Sequence, residues 1–182
     1  MSRKLDSQTL IKPAKFAHFV LRVRKLEDSI AWYRTVLGVE MVHRAEKIAF
    51  LTYDDEHHRL ALAETPVETE RRPGSPGLDH VAYTLTSLGD LLATYRRLLA
   101  AGIKPALPIN HGLTTSIYYQ DPDGNGVEFQ VEHFSEPEKL KAYMESDAFA
   151  SNPLGVPFDP EELAKRYEQG DPIEELLRPW SE

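Results

Sequence analysis

Phe16-Ala17-His18-Phe19 and Leu78-Asp79-His80-Val81 lie 62 residues apart and open two copies of one pattern. Behind the first stand Leu26, Asp28, Ile30, Ala31, Tyr33, Arg34 and Leu37. Behind the second, in the same places, stand Leu88, Asp90, Leu92, Ala93, Tyr95, Arg96 and Leu99. Gly38-Val39 meets Gly102-Ile103 after a two-residue slip. Self-similarity at a fixed offset marks a repeated supersecondary unit. Residues 16–23 and 78–85 read as strands, because Val81, Tyr83 and Leu85 alternate with His80, Ala82 and Thr84. The apolar stripe Leu26, Ile30, Tyr33, Leu37 and its counterpart Leu88, Leu92, Tyr95, Leu99 have helical spacing. Ser87 with Asp90 suits a helix start, and Gly38 and Gly102 suit helix ends.

Three further strands are expected in each copy, near 39–45, 48–53 and 58–64, then near 105–109, 115–120 and 127–132. The turn Asp121-Pro122-Asp123-Gly124-Asn125-Gly126 precedes the last. The expected fold is α+β: two paired βαβββ modules forming a cupped mixed sheet, plus a C-terminal helical extension. The divisions are an N-terminal arm (1–15), a first module (16–64), a linker rich in Pro, Glu and Arg (65–77), a second module (78–134) and the extension (135–182). In the extension, Ser135 and Glu138 bracket a helix start with Pro137 in its first turn. Asp159-Pro160-Glu161-Glu162 is a second start and Gly170 a stop, which predicts two helices joined by Asn152-Pro153-Leu154-Gly155.

Composition narrows the chemistry. The 182 residues include no cysteine, so disulfides, thiolate metal sites and cysteine nucleophiles are excluded. Any metal must be held by histidine and carboxylate. The net charge of -8 argues against nucleic acid. No apolar run reaches membrane-spanning length, and Met1 to Lys15 has no apolar signal core, so a cytoplasmic location is expected. Residues 1–132 carry 17 acidic and 16 basic side chains, while 133–182 carry 12 and 5. The acidity belongs to the extension and reads as a solvated helical surface.

His18 and His80 occupy the same position in the two copies, on the strand face opposite the larger apolar residues. Packing about a pseudo-twofold axis would bring them to one place. Glu128 interrupts the apolar run of the last strand, where a carboxylate is costly unless paired or metal-bound; the other reading is an edge strand with Glu128 facing water. Aligning Asp54 with Asp121 sets Ala61 opposite Glu128, so the first copy has no matching carboxylate. Two histidines and one carboxylate on one face leave open positions on an octahedral metal, the arrangement of non-heme Fe(II) oxygenases, although imidazole also suits Mn(II) and Zn(II). His57 is expected to point away from His58, His43 to be solvated at a strand end, and His133 to face away from Glu128.

The paired modules with these histidines and this glutamate resemble the vicinal oxygen chelate superfamily. Further motifs resemble its type I extradiol ring-cleaving dioxygenases. Asp54-Asp55-Glu56-His57-His58-Arg59 is similar to the segment bearing that family's acid–base histidine. Asn110-His111-Gly112 is similar to the loop carrying its second-sphere histidine, and Tyr118 matches its active-site tyrosine, ten residues before Glu128. The resemblance spans roughly residues 16–134, and the extension is similar to that of small members.

It implies a metal site of His18, His80 and Glu128 holding Fe(II), with Mn(II) as an alternative. It also implies an acid–base role for His58, a hydrogen bond from His111 to substrate or oxygen, and donation by Tyr118 to a developing oxyanion. The implied reaction inserts both atoms of O2 into a catechol, in aromatic hydrocarbon catabolism, in a homo-oligomer (dimer or higher). The other functions open on this fold are a metal-dependent glyoxalase-like isomerase or lyase and a ligand-sequestering protein. Ala61 counts against the first and the metal-ligand triad against the second.

Overall fold

In the computed structural model, residues 10–65 and 76–178 are described. The N-terminal arm and the linker expected from sequence fall largely outside them. The first module runs β1 (Phe19–Val23), α1 (Leu26–Leu37), β2 (Glu40–Ala45), β3 (Ile48–Thr52) and β4 (Leu60–Glu64). The second runs β5 (His80–Thr84), α2 (Leu88–Ala100), β6 (Leu107–Asn110), β7 (Thr114–Gln120) and β8 (Gly126–Glu132). Each module forms its own mixed sheet, with orders β1-β4-β3-β2 and β5-β8-β7-β6, the second extended at β6 by a short strand β9 (Val156–Pro157) from the extension. In both, the first strand pairs in parallel with the last.

The duplication extends to register. Val20 stands opposite Ala61 in the first sheet, and Ala82 opposite Glu128 in the second. Leu21 and Val23 point to the buried side, where Leu62 and Leu51 meet the α1 residues Leu26, Ile30, Tyr33 and Val36. Val20 and Arg22 lie on the other face and are exposed. Ser87 caps α2 by accepting from the Asp90 backbone N–H at 3.1 Å. Gly38 closes α1 with φ at 68°, a left-handed conformation that glycine adopts without steric cost.

Polar contacts fasten the modules together. The Tyr33 hydroxyl donates to Asp121 Oδ2 at 3.0 Å in a buried position, while Asp121 also accepts from the Asn125 side chain and from the backbone of Asp123 and Asn125. Burial, then the Asp121 charge, pushes the Tyr33 phenol well above its ordinary value, so it remains a donor. On the far side, Arg97 of α2 donates to the Thr35 and Val36 carbonyls, placing a cation at the C-terminal end of α1.

The extension holds more than the two helices expected. It forms α3 (Pro137–Met144), α4 (Asp147–Ser151), the two-residue strand β9 (Val156–Pro157), α5 (Pro160–Gln169) and α6 (Ile173–Leu176). Glu136, not Ser135, is the N-cap of α3 and makes no side-chain cap bond. Asp159 does cap α5, accepting from Glu161 and Glu162 N–H at 2.8 and 3.3 Å. β9 adds to the β6 edge through Ile109 and Asn110. The solvated-surface reading holds for α3 and α4, which bury no residue, but not for α5 and α6. There Leu163, Ala164 and Leu176 enter the main core, and Arg96 of α2 pairs with Glu161 and Glu168.

Tyr33→Phe removes one hydrogen bond to a charged acceptor and leaves the ring packing intact. It should lower unfolding free energy by about 1.5–3 kcal/mol, read as a reduced urea midpoint with an unchanged slope.

Candidate active site

The second sheet builds one cluster. His80 is the first residue of β5, and Glu128 lies two positions along the neighbouring strand on the same face. His80 Nε2 is 3.0 Å from Glu128 Oε2, and Glu128 is only 4% exposed. The other ring nitrogen, Nδ1, is 2.8 Å from Asp79 Oδ2. A carboxylate on the far nitrogen fixes the tautomer and orientation of an imidazole, as in metal-ligating histidines generally. Asp79 was not evident from the sequence pattern because it precedes His80, and alternation would send the two side chains apart. It lies just before the strand begins, where alternation does not apply.

Gly126 stands opposite His80, and a Cβ there would come within 2.6 Å of the Asp79 carbonyl and 2.8 Å of His80 Cβ. Glycine is what lets the two strands approach this closely. Tyr118 of β7 is opposite Glu128 and meets the His80 ring edge-on at 5.2 Å. Its hydroxyl is 2.9 Å from His111 Nε2. Burial, followed by the Glu128 charge, holds the Tyr118 phenol above its ordinary range, so it stays protonated.

His111 is held by its loop and by the extension. The buried Asn110 side chain accepts from Gly112 N–H at 2.8 Å and donates to the Leu177 and Arg178 carbonyls at 3.0 and 3.3 Å. His133 lies between Thr115 and the Gly112 carbonyl at 2.8 and 2.9 Å. It is a structural histidine, and burial holds its pKa down. His43 is exposed, with its ring 6.1 Å from Phe50.

The first module builds a different cluster. His18, just before β1, has its ring 4.2 Å from that of His58 on the β3–β4 connection. His57 does not point away, as alternation predicted: its Nδ1 is 2.6 Å from His58 Nδ1. The connection is an irregular turn, so strand parity does not govern it. Ligand nitrogens of His18, His57 and His58 all lie within 4.8 Å of one another. Burial, then the neighbouring His18 and His57, hold the His58 imidazole below its ordinary pKa. Phe50 packs edge-on against His58 at 4.9 Å.

Arg59 explains the His-His-Arg run. Its guanidinium is clamped by Asp54 at 2.9–3.1 Å and donates to the Phe16 and Ala17 carbonyls at 2.6 and 3.0 Å. It therefore fixes the backbone that carries His18, a role the sequence pattern did not disclose.

Of the predicted site residues, the structure brings together His80, Glu128, Tyr118 and His111 on one sheet, and His18 with His58 on the other. Arg24, just past β1, donates to Asp123 through its backbone N–H at 3.1 Å and its Nε at 2.6 Å. Asp123 lies in the turn that enters β8 beside His80. At the other end, the Tyr53 ring lies 5.8 Å from Tyr83, the fourth residue of β5. β1 and β5 therefore pass in opposite directions. Among the described residues, the group of three ligand-bearing side chains within 4.8 Å of one another is His18, His57 and His58, and it includes neither His80 nor Glu128.

Residues 15–129 match the family model described as the Glyoxalase/Bleomycin resistance protein/Dioxygenase superfamily. Biphenyl-2,3-diol 1,2-dioxygenase 2 of Rhodococcus globerulus is 46% identical over 163 residues, covering 89% of this chain and 86% of that protein. Biphenyl-2,3-diol 1,2-dioxygenase 3 of the same organism is 43% identical over 170 residues, covering 92% and 90%. A solved glyoxalase/bleomycin resistance protein/dioxygenase from Nocardioides shares the fold, with a TM-score of 0.57 at 24% identity over 71% of this chain and 91% of that one.

The extension anchors the His111 loop at Gly155, whose φ is 82° and whose added Cβ would meet the Asn110 carbonyl and, at 2.6 Å, His111 Cα. Gly155→Ala should loosen β9 from β6. The expected readout is faster limited proteolysis between residues 144 and 160, together with a lower melting temperature.

Proposed function

The chain belongs to the glyoxalase/bleomycin resistance/dioxygenase superfamily, and from that we propose that it is an extradiol ring-cleaving dioxygenase. It acts on a catechol-type diol, with biphenyl-2,3-diol the first substrate to try. The C–C bond beside the two hydroxyl-bearing carbons breaks, and both atoms of O2 enter the product. The observation that carries this reading is the His80–Glu128 pair, beside Tyr118 and His111, in a chain so similar to two biphenyl-2,3-diol dioxygenases.

The donor set fits a divalent metal. His80 Nε2 and Glu128 Oε2 lie 3.0 Å apart, near enough for both to be donors to one ion. His80, Glu128 and a second imidazole from His18 would hold it. Fe(II) suits this oxygen and nitrogen set, and Mn(II) is the alternative. When bound, the metal supplies open positions at which both substrate oxygens and O2 meet.

The chain's own residues do the rest. His58, with its lowered pKa, is a neutral base able to accept a catechol proton at neutral pH. Tyr118 stays protonated and donates a hydrogen bond where negative charge develops. His111 orients the Tyr118 hydroxyl and reaches the same space. Ala61, buried where a second carboxylate would stand, favours this chemistry over a glyoxalase-type isomerase with a ligand from both last strands.

Protein reconstituted with Fe(II) under reducing conditions should consume O2 with biphenyl-2,3-diol or simple catechols and give a yellow ring-opened product. No O2 uptake across a catechol panel would overturn the assignment. Glu128→Ala should lose iron. His58→Phe should keep iron yet turn over about a hundredfold or more slower, and unchanged turnover would remove His58 from the reaction.

A further inference from the structure

We propose that His18, His57 and His58 form a three-imidazole site for Zn(II), separate from the His80–Glu128 pair, and that filling it stops turnover. The binding rests on geometry. The stop rests on the dioxygenase reading, in which His18 is an iron ligand and His58 the base.

The cluster is arranged to receive an ion. One ligand nitrogen from each histidine lies within 4.8 Å of the other two. Ring centroids are 4.2 Å apart for His18 and His58, 4.5 Å for His57 and His58, and 6.1 Å for His18 and His57. The His57 and His58 Nδ1 atoms meet head to head at 2.6 Å, an approach that a shared proton or a shared cation has to bridge. The other nitrogen of His57, Nε2, lies 3.6 Å from Glu56 Oε1. A carboxylate on that side is the usual outer partner of a metal-ligating imidazole.

The two segments that carry the ligands are tied by one guanidinium. Arg59 donates to the Phe16 and Ala17 carbonyls, next to His18. Asp54 holds Arg59 and also accepts from the Glu56 N–H at 3.1 Å, next to His57. The imidazoles are therefore gathered before an ion arrives, which cuts the ordering cost of binding. The His57 side chain is 65% exposed, so an ion reaches the cluster from solvent.

The donor set chooses the ion. Three neutral imidazoles with a fourth position open suit Zn(II) in tetrahedral geometry. The nearby carboxylates are engaged, Glu56 by Lys15 and Asp54 by Arg59. For a given nitrogen set Zn(II) binds more tightly than Fe(II). His18 is common to this site and to the proposed iron site. An ion seated among the three histidines withdraws an iron ligand and occupies the lone pair of the proposed base, so the two states exclude each other.

The probe is Zn(II) itself, in protein whose iron pair has been broken. Glu128→Ala should lose iron yet still bind one Zn(II) per chain in equilibrium dialysis. Adding His57→Ala should weaken that binding by at least about a hundredfold, since even the outer partner of a ligand is worth about ten- to a hundredfold. Co(II) in place of Zn(II) should give the strong visible absorption of a four-coordinate ion, lost in the double variant. His80→Ala replaces Glu128→Ala if the latter does not fold. In iron-loaded wild-type protein, Zn(II) should halt catechol-dependent O2 uptake, whereas iron-loaded His57→Ala should keep its uptake and resist the same Zn(II). Zinc binding that survives His57→Ala, or that vanishes from folded Glu128→Ala, would overturn the site. Equal zinc inhibition of wild type and His57→Ala would overturn the stop. Zinc binding as expected in a protein that consumes no O2 with any catechol would sustain the site and overturn the dioxygenase reading.

Discussion

A carboxylate set in a β-strand at 4% exposure has to be compensated, and Glu128 is compensated by an imidazole 3.0 Å away. That pairing requires β5 and β8 to run parallel in one register. The register in turn requires Gly126 opposite His80, because any side chain there would strike the Asp79 carbonyl and His80. The Asp121 turn that delivers Gly126 is built from the carboxylate that also holds Tyr33 of the other module. One acidic turn thus sets both the strand register of the site and the relation between the modules.

Much of this was readable in the residues. The repeat gave both modules, and strand alternation put His80 and Glu128 on a common face. The alignment of Asp54 with Asp121 placed Ala61 in the mirror position of Glu128, which the two strand registers reproduce. Local chemistry located Ser87, Gly38, Asp159 and Gly170 at helix ends. What escaped the sequence was of two physical kinds. Side chains on irregular backbone, His57, Asp79 and Arg59, obey no period. Elements too short to carry a period, β9 and α6, are stabilised by what they pack on.

The placement of His18 is a different matter. Internal duplication shows that His18 and His80 are equivalent, and equivalence is not proximity. Whether two equivalent groups meet depends on the packing between modules, and a handful of side chains decides that: Tyr33, Arg24, Arg97 and their acceptors. Of these only Tyr33 belongs to the periodic pattern from which the fold was read, and its spacing says nothing of its acceptor. The extension is similar in this respect. Its acidic character suggested a solvated surface, yet Leu163 and Leu176 complete the core, and the carbonyls after α6 hold the Asn110 side chain next to His111.

The small, buried Ala61 has an electrostatic meaning. In the proposed metal site, two imidazole ligands and a single carboxylate would cancel only half the charge of a divalent cation. A diol that has surrendered one proton carries the charge that completes the balance. A carboxylate at position 61 would make the centre neutral before substrate arrived, and an anionic ligand would then enter without electrostatic gain. On that reading, one methyl group, in the place where duplication had a carboxylate to repeat, would favour ligands that arrive as anions.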